Sequence, residues 1–496
     1  MAKNQIKISD LDVPSFDYLE LPTLVKEVIK YLSLSITEVY MVGGFLRDLL
    51  CGKVSNDLDF IVINRDTSDL AEELVSKFNG NYFVLDELTK TIRFVLKDEN
   101  CRLYTFDFTP VLSENIENDL LRRDFTINSL VLNLKQPDYI IDRFLALNDL
   151  KDKKIRAIQL TNLLEDPLRF LRAFRFAAIL GGTIEKDVID FIRDNLGHFN
   201  ENVSHERVMH EIWKMLDCEN SFLYLRQLAD IGLLEKIIPE LTPLRKVTPN
   251  DHHHLWLYDH SLELVKTLEQ NFYKIPDWAK EDLNSSFGTL DCPTKKAVAK
   301  LGCLFHDIGK PTTWEIKTLD GKEKHTFYGH DKVGENLTRE IGERLKLSNS
   351  LIKTLSSLVR FHLRPFQLSQ PGMEISERAL YRFFRDLKDD MPLLLMLAIA
   401  DSYATLGPKI TNEDLEKNEK LLLFLFESYK QFSDEENEKS KKQKLLDGNE
   451  IMKITGLKPT KELGMIIQEM DEAIALHEIN TKEEAVSWII KKIKSK

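Results

Sequence analysis

From residue 40 to residue 62 the chain reads YMVGGFLRDLLCGKVSNDLDFIV, and few folds accommodate residue types in that order. An apolar run ends at Gly43-Gly44, and a segment with Phe45, Leu46, Leu49 and Leu50 at helical spacing follows. A second apolar run then begins inside Asp57-Leu58-Asp59-Phe60-Ile61-Val62. The glycine punctuation and the changes of period predict strand, turn, short helix and strand. Asp57 and Asp59, two apart on a strand, share one face. Adjacent carboxylates repel unless a cation lies between them, and an all-oxygen set suits Mg²⁺, which keeps water and substrate phosphates in its octahedron. Glycine permits close approach of the backbone, and helix N-termini favour anions, so Gly43 and Gly44 with Arg47 one turn later form a candidate triphosphate cradle. Either feature alone describes a tight turn or a solvated strand edge. Their fixed order points to metal-assisted transfer of a nucleotidyl group.

The rest of the composition sets limits. A chain of 496 residues has room for several domains, and 43% hydrophobic with 30% charged residues is ordinary for a globular protein. No run approaches the roughly 18 apolar residues of a membrane helix, and the opening Met-Ala-Lys-Asn-Gln resembles no signal peptide, so a cytoplasmic location is expected. Cys51, Cys101, Cys218, Cys292 and Cys303 are scattered and odd in number, which argues for free thiols. The net charge of −12 excludes a uniformly basic, nucleic-acid-binding surface but leaves room for local patches. The clusters are Arg122-Arg123, Arg169 with Arg172 and Arg175, Lys441-Lys442 with Lys444, and Lys491-Lys492 with Lys494. Each equally describes a solvated face, and for the two lysine clusters the solvated face is the preferred reading.

Taken in order, residues 21–34 and 68–78 read as helices, and 82–85, 91–96 and 103–108 as strands. In the last of these Asp107 stands among apolar and aromatic residues. It is either a third carboxylate, for metal binding or proton removal, or a strand-end residue facing water. The segment NDLLRRDFTINSL, 118–130, offers Arg122 and Arg123 to phosphate, or a surface ion pair at a helix start. In EDPLRFLRAFRF, 165–176, Pro167 suits a first helical turn, and Asp166, Arg169, Arg172 and Arg175 form a polar stripe that drifts around the helix. An aspartate accepting from an exocyclic amine beside an arginine donating to ring atoms can imitate a base-pairing partner. From 184 to 240 the pattern is nearly all helical, with Ser204 a candidate N-cap. Histidines then gather at 252–254 and 260, followed by His306-Asp307 in LGCLFHDIGKP, His330, His362 and Asp401. Imidazoles with carboxylates make a divalent-metal site. Residues 271–291 read as a loop or insertion, and 433–444 as a charged linker or helix end.

Several of these segments resemble one family. GGFLRD followed by NDLDF is similar to the head of class II tRNA nucleotidyltransferases, the CCA-adding enzymes, and of the related bacterial poly(A) polymerases. RRDFTINSL resembles that family's RRDFTxNA segment, with Ser129 for alanine, and EDPLR its E-D-x-x-R segment. SHERVMHE resembles its neck, and the H…HD…D set its HD phosphohydrolase domain. At 141–144 the chain lacks the proline and glycines of relatives, so the turn must be made differently. The resemblance implies an α+β fold, with a polymerase-β-like head of mixed sheet and helices (1–155), an all-α neck (156–240), an HD-type helical domain (241–430) and a helical tail (431–496) that binds tRNA or only packs. It implies Asp57, Asp59 and Asp107 as catalytic, with Mg²⁺ on the first two. Gly44, Arg47, Arg123, Asp166, Arg169, Arg172 and Arg175 would bind nucleotide, and Asp124 would belong to a hinge-like region. His260, His306, Asp307 and Asp401 would bind a second divalent metal, with His330 and His362 for a further metal or phosphate and Lys310 for phosphate. The implied activity is addition of CMP and AMP to the tRNA 3′ end from CTP and ATP, with tRNA as partner and no membrane. Narrower products (A only, CC only, or poly(A)) stay open, as does a phosphohydrolase whose head merely binds RNA. Steep salt dependence of tRNA binding is expected despite the net charge.

Overall fold

The computed structural model describes residues 5–8, 21–53, 55–99, 101–111, 116–199, 203–248, 255–288, 292–319, 322–368, 375–405, 410–440 and 445–494. The histidines at 252–254 and the lysines at 441, 442 and 444 lie outside the described residues. The chain divides into two compact units, Met1–Glu211 with Asp230–Leu233, and Ile212–Ala229 with Leu234–Lys496.

The first unit is built on strands β1 (Gln5–Lys7), β2 (Val39–Val42), β3 (Asp57–Ile63), β4 (Asn81–Asp86), β5 (Thr91–Lys97), β6 (Leu103–Val111), β7 (Val131–Asn133) and β8 (Tyr139–Ile141). They form one sheet in the order β1-β8-β7-β2-β3-β6-β5-β4. β3 and β6 run parallel, and the connection between them contains the helix Thr67–Phe78 and the β4–β5 hairpin, long enough for a parallel return. Alternation divides the faces. Leu58, Phe60 and Val62 of β3 join Phe106 and Phe108 of β6, Phe94 of β5 and the apolar sides of helices α1 (Thr23–Leu34), α2 (Gly44–Leu50) and α3 (Thr67–Phe78) in the large core. The opposite face, with Ile61 and Ile63, carries a smaller cluster around Ile116, Leu120 and Val131 and leaves Asp57 and Asp59 uncovered by it. Further helices follow in this unit, among them α4 (Leu168–Leu180), which is closed by Gly181 in the left-handed region at φ 60°.

The turn at 141–144 is made without proline or glycine. Asp142 accepts from the amides of Ala146 and Leu147 at 2.8 and 3.0 Å, so a carboxylate caps the next helix. Ser129, fully buried, donates to the Thr126 carbonyl at 2.6 Å and thereby satisfies the hydroxyl that alanine would lack.

Among its described residues the second unit is helical apart from one small hairpin. Helices α5 (Leu257–Asn271), α6 (Lys295–Phe305), α7 (His330–Arg344), α8 (Asn349–Phe361) and α9 (Met391–Ala404) build its main body. α9 is apolar nearly all round and packs on α5, α6 and α8, as a central helix must. The segment 271–291 differs from the expected loop: Asp277–Asn284 is a helix, because Ala279 and Leu283 are buried and Trp278 lies against Phe426 and Tyr429 at 6.0 and 6.1 Å between ring centroids. Its many polar residues mask that short apolar stripe. The charged stretch after 433 is, as far as 440, the end of the helix Asn412–Ser440. Three short helices, Gly448–Thr455, Lys461–Ala475 and Lys482–Lys494, share a separate core around Leu463, Ile466, Met470 and Ile489. Among the described residues no helix is long and apolar enough to cross a membrane.

One lysine is wholly inside this unit. Lys300 Nζ donates to the carbonyls of Leu216 and Cys218 at 2.9 and 2.7 Å and to Ser221 Oγ at 3.1 Å, and pairs with Glu269 at 2.8 Å. Lys300→Met keeps the volume but removes the counter-charge of Glu269, which then keeps only its hydrogen bonds from Ser221 and Phe222, and takes the donor from two carbonyls, so a loss of about 3–5 kcal/mol is expected. Thermal unfolding should register it as a fall in midpoint of roughly 10 °C.

Candidate active site and metal centre

The register between β3 and β6 sets Asp59 opposite Asp107 and Asp57 opposite Thr105. Alternation, having buried the phenylalanines, therefore leaves three carboxylates on one face. Asp57 is exposed and accepts a hydrogen bond from the Thr105 hydroxyl. Burial pushes the Asp59 carboxyl above its usual range; Asp107 and Asp57 push the same way, and Arg123 and Arg93 offset this only in part. An oxygen-only set with unmatched negative charge fits a divalent cation.

Gly43 closes over this face. It sits at φ +79°, and a Cβ there would lie 2.7 Å from Asp59 Oδ2 and 3.4 Å from Arg123 Nη1, so both conformation and space demand glycine. Gly44 opens α2 behind it. Arg47, on the same helix, is buried rather than turned out. Its Nη1 donates to Asn128 Oδ1 at 2.6 Å, its Nε and Nη2 to Asp48 Oδ1 at 2.8 and 2.7 Å, and its guanidinium lies 4.6 Å from the Phe176 ring. The structure thus uses Arg47 to brace the turn against α4.

Asn128 is the hub of the RRDFTIN segment. Besides Arg47 it meets Arg123, whose Nη1 donates to its carbonyl at 3.1 Å, and its own amide donates to Asp124 at 2.9 Å. Burial alone would raise the Asp124 carboxyl, but Arg172 and the Asn128 and Phe125 hydrogen bonds reverse this and hold it below the usual range. Arg172 Nε reaches Asp124 at 2.8 Å. Arg175 is buried against Glu211 at 2.7 Å; burial lowers its pKa to about 10, with Glu211 opposing. Among the stripe residues only Arg175 is buried; Asp166, Arg169 and Arg172 are half-buried. Asp166 Oδ2 accepts from Arg207 at 2.6 Å, and Arg169 donates to the Asn162 carbonyl at 2.7 Å. Arg122, Arg123 and Arg169 line an open cleft of about 980 Å³ with Lys90 and Thr109. Thr109 follows Asp107 by two residues on β6 and so continues the carboxylate face.

Sequence reasoning missed Arg93, Asn128 and Arg207. Arg93 had one visible signal, a lone arginine within the apolar strand TIRFVLK.

In the second unit six predicted residues converge from five places along the chain. His260 on α5, His306-Asp307 after α6, His330 opening α7, His362 after α8 and Asp401 on α9 surround one point. His260 Nε2 lies 3.3 Å from Asp401, His306 Nε2 3.1 Å from Asp307, and His330 and His362 Nε2 3.4 and 3.6 Å from Asp307. Lys310 Nζ is 2.5 Å from Asp307. Backbone carbonyls of Cys303, Phe327 and Val359 take the Nδ1 atoms of His306, His330 and His362 at 2.8, 2.7 and 2.7 Å. A carbonyl only accepts, so in the neutral rings Nδ1 carries the proton and the Nε2 lone pairs face inward. Two of them, on His330 and His362, stand 3.3 Å apart, and His306 Nε2 and Asp307 Oδ1 make no hydrogen bond. Burial lowers the pKa of His362 to about 4. Burial would also raise Asp307, but His306 and Lys310 overcome it and hold it well below the usual range. Converging lone pairs, neutral imidazole and a buried carboxylate fit divalent metal, and two overlapping ligand groups, His260 with His306 and Asp307, and Asp307 with His330 and His362, share Asp307. A pocket of about 200 Å³ opens onto the cluster beside Lys310, Phe366, Ser402 and Asn418.

The mixed sheet with its acidic face, glycine turn and arginine cleft defines a nucleotidyltransferase head, and the helical unit carries an HD-type cluster of candidate metal ligands. Comparison with known proteins agrees. Residues 39–156 match the poly(A) polymerase head domain, 182–244 a probable RNA- and SrmB-binding site of polymerase A, and 257–406 the HD domain. The chain is 30% identical to the A-adding tRNA nucleotidyltransferase of Deinococcus radiodurans, over 90% of its own length and 94% of that protein's. It is also 30% identical to the CC-adding tRNA nucleotidyltransferase of Thermus thermophilus, over 91% and 93%. The solved Thermotoga maritima CCA-adding enzyme complexed with tRNA shares the fold at TM-score 0.60 and 20% identity, with 99% of this chain and 100% of that one covered. The chain belongs to the tRNA nucleotidyltransferase family.

Proposed function

We propose that this protein adds CMP and AMP to the 3′ end of tRNA, using CTP and ATP without a nucleic-acid template and releasing pyrophosphate. The reading rests on one observation above the others: Asp57, Asp59 and Asp107 share a face closed by Gly43 and continued by the arginine cleft. In the reaction the terminal ribose hydroxyl forms a bond to the α-phosphorus of the nucleotide, and the bond to the β-phosphate breaks. Asp57 and Asp59 would hold Mg²⁺, which supplies Lewis-acid stabilisation of the phosphoryl oxygens. Asp107 completes the acidic set, Gly44 with Arg123 receives the phosphates, and Arg172 holds α4 to Asp124 behind the base site. Asp166 and Arg169 read the base: CTP and ATP carry an exocyclic amine for an aspartate to accept, and UTP does not. The organisation that goes with this reading is head 1–155, neck 156–240, HD region 241–430 and tail 431–496, working on tRNA in the cytoplasm.

The test is labelled CTP and ATP, alone and together, with tRNA transcripts that stop before CCA, after one C and after both. Ordered C, C and A addition supports the proposal. A second reading is favoured by the two relatives above, each of which adds one part of the triplet: addition of A alone to the CC-ending transcript, or of C alone to the shorter ones, would select it. Asp166→Ala is expected to lower discrimination of CTP over UTP by roughly tenfold to a hundredfold, since one base-directed hydrogen bond is lost. The ratio of kcat/KM for the two nucleotides measures this.

The buried His/Asp cluster supports a further activity, hydrolysis of phosphate esters, with Lys310 beside Asp307 to meet a phosphate.

A further inference from the structure

Asp107 lies between two strands that treat it in opposite ways. On one side the β3 register brings up Asp59, a like charge. On the other, the β5 register brings up Arg93. Arg93 Nε donates to Asp107 Oδ1 and its Nη2 to Oδ2, both at 2.7 Å, a fork that engages both carboxylate oxygens. Asp57 and Asp59 have no such arginine partner among the described hydrogen bonds. The three carboxylates are therefore unequal: two are open to a cation, and the third is closed by a planar, always-charged group that a strand holds in place.

We propose that Arg93 is a positioning residue that keeps Asp107 out of the cation site in the nucleotide-free chain. The bare head then binds divalent metal weakly, through Asp57 and Asp59, and Asp107 is released when nucleotide phosphates offer Arg93 a second anion. This rests on the reading of the acidic face as a cation site. Such an arrangement couples metal uptake to nucleotide arrival and limits idle metal on an empty enzyme. Metal ions and Arg93 compete for the same oxygens, and competition of this kind appears in a binding constant as well as in a rate.

The test is Mn²⁺ binding to the full, nucleotide-free chain by electron paramagnetic resonance. The head's share is taken as the difference from an Asp57→Asn, Asp59→Asn double variant, so that the HD cluster cancels. Arg93→Met is expected to tighten the head's Mn²⁺ affinity about tenfold, and the gain should vanish when Asp107→Asn is added. An unchanged affinity, or an equal gain in the Asp107→Asn background, overturns the proposal, because Arg93 would then be only a cross-strand partner or a distant charge. Should Arg93→Met fail to fold, Arg93→Lys retains the charge but gives up the fork; a gain of about threefold supports the proposal and no gain overturns it. A parent chain that shows no head-dependent Mn²⁺ signal even with CTP present would remove the cation-site reading itself, a result distinct from all of these.

Discussion

Asp59→Asn is expected to lower nucleotide incorporation into tRNA by about a thousandfold, roughly 4 kcal/mol of transition-state stabilisation, while the metal-free protein becomes harder to unfold. The two effects have one cause. Asp59 is held between Asp57 and Asp107 in a half-buried position, where burial and both like charges raise its pKa. A carboxyl whose folded pKa lies above its unfolded value costs stability while it is ionised, above that folded pKa, and the cost fades as pH falls through it. Asparagine keeps the shape and removes the charge. Its melting midpoint should therefore exceed the parent's at neutral pH without divalent metal, and the gap should close toward acid pH. Adding Mg²⁺ should raise the parent's midpoint more than the variant's, because only the parent keeps both Asp57 and Asp59 as anionic ligands. Loss of activity with a lower midpoint would instead mark Asp59 as a structural residue.

Asp307→Asn is expected to reduce divalent-metal affinity of the helical unit by about a hundredfold or more, since Asp307 is the member common to both ligand groups. Metal content after dialysis reads this directly. The thermal response reads it again: metal at 100 times its dissociation constant stabilises the parent by about 2.7 kcal/mol, and the variant should show almost none of that. In the parent, Asp307 also faces Lys310 at 2.5 Å and His306 at 3.1 Å. The variant leaves the buried Lys310 ammonium without its counter-charge, so its metal-free midpoint should fall as well. A metal response equal to the parent's would move the site elsewhere.

The two candidate sites differ in how far the chain alone disclosed them. Gly43-Gly44 and Asp57-x-Asp59 were readable because turn chemistry and strand alternation act within a few residues, and both appear where that local physics puts them. Asp107 was undecided in the sequence, because a strand's own residues carry no record of its neighbour; the parallel register with β3 set it beside Asp59. Arg93 and Arg207 went unnoticed for the same reason, since their partners Asp107 and Asp166 lie 14 and 41 positions away. Arg47 and Arg175 were read as phosphate or base contacts from their spacing. Tertiary packing turns both inward, around the Phe176 ring at 4.6 and 4.1 Å, where Arg47 joins the glycine turn to α4 and Arg175 pairs with Glu211.

Chemistry of short range, then, was determined by the sequence itself: the strand-turn-helix-strand order, the shared face of two carboxylates, the helix entry at Pro167 and the identity of the clustered histidines and aspartates. Decisions that need two distant segments were left to the folded chain. Strand register chose which acid and which base meet Asp107, and helix packing brought five separate stretches of the second unit to one buried point. Pairing depends on which surfaces bury together, and that free energy belongs to the whole packed unit rather than to any window of residues.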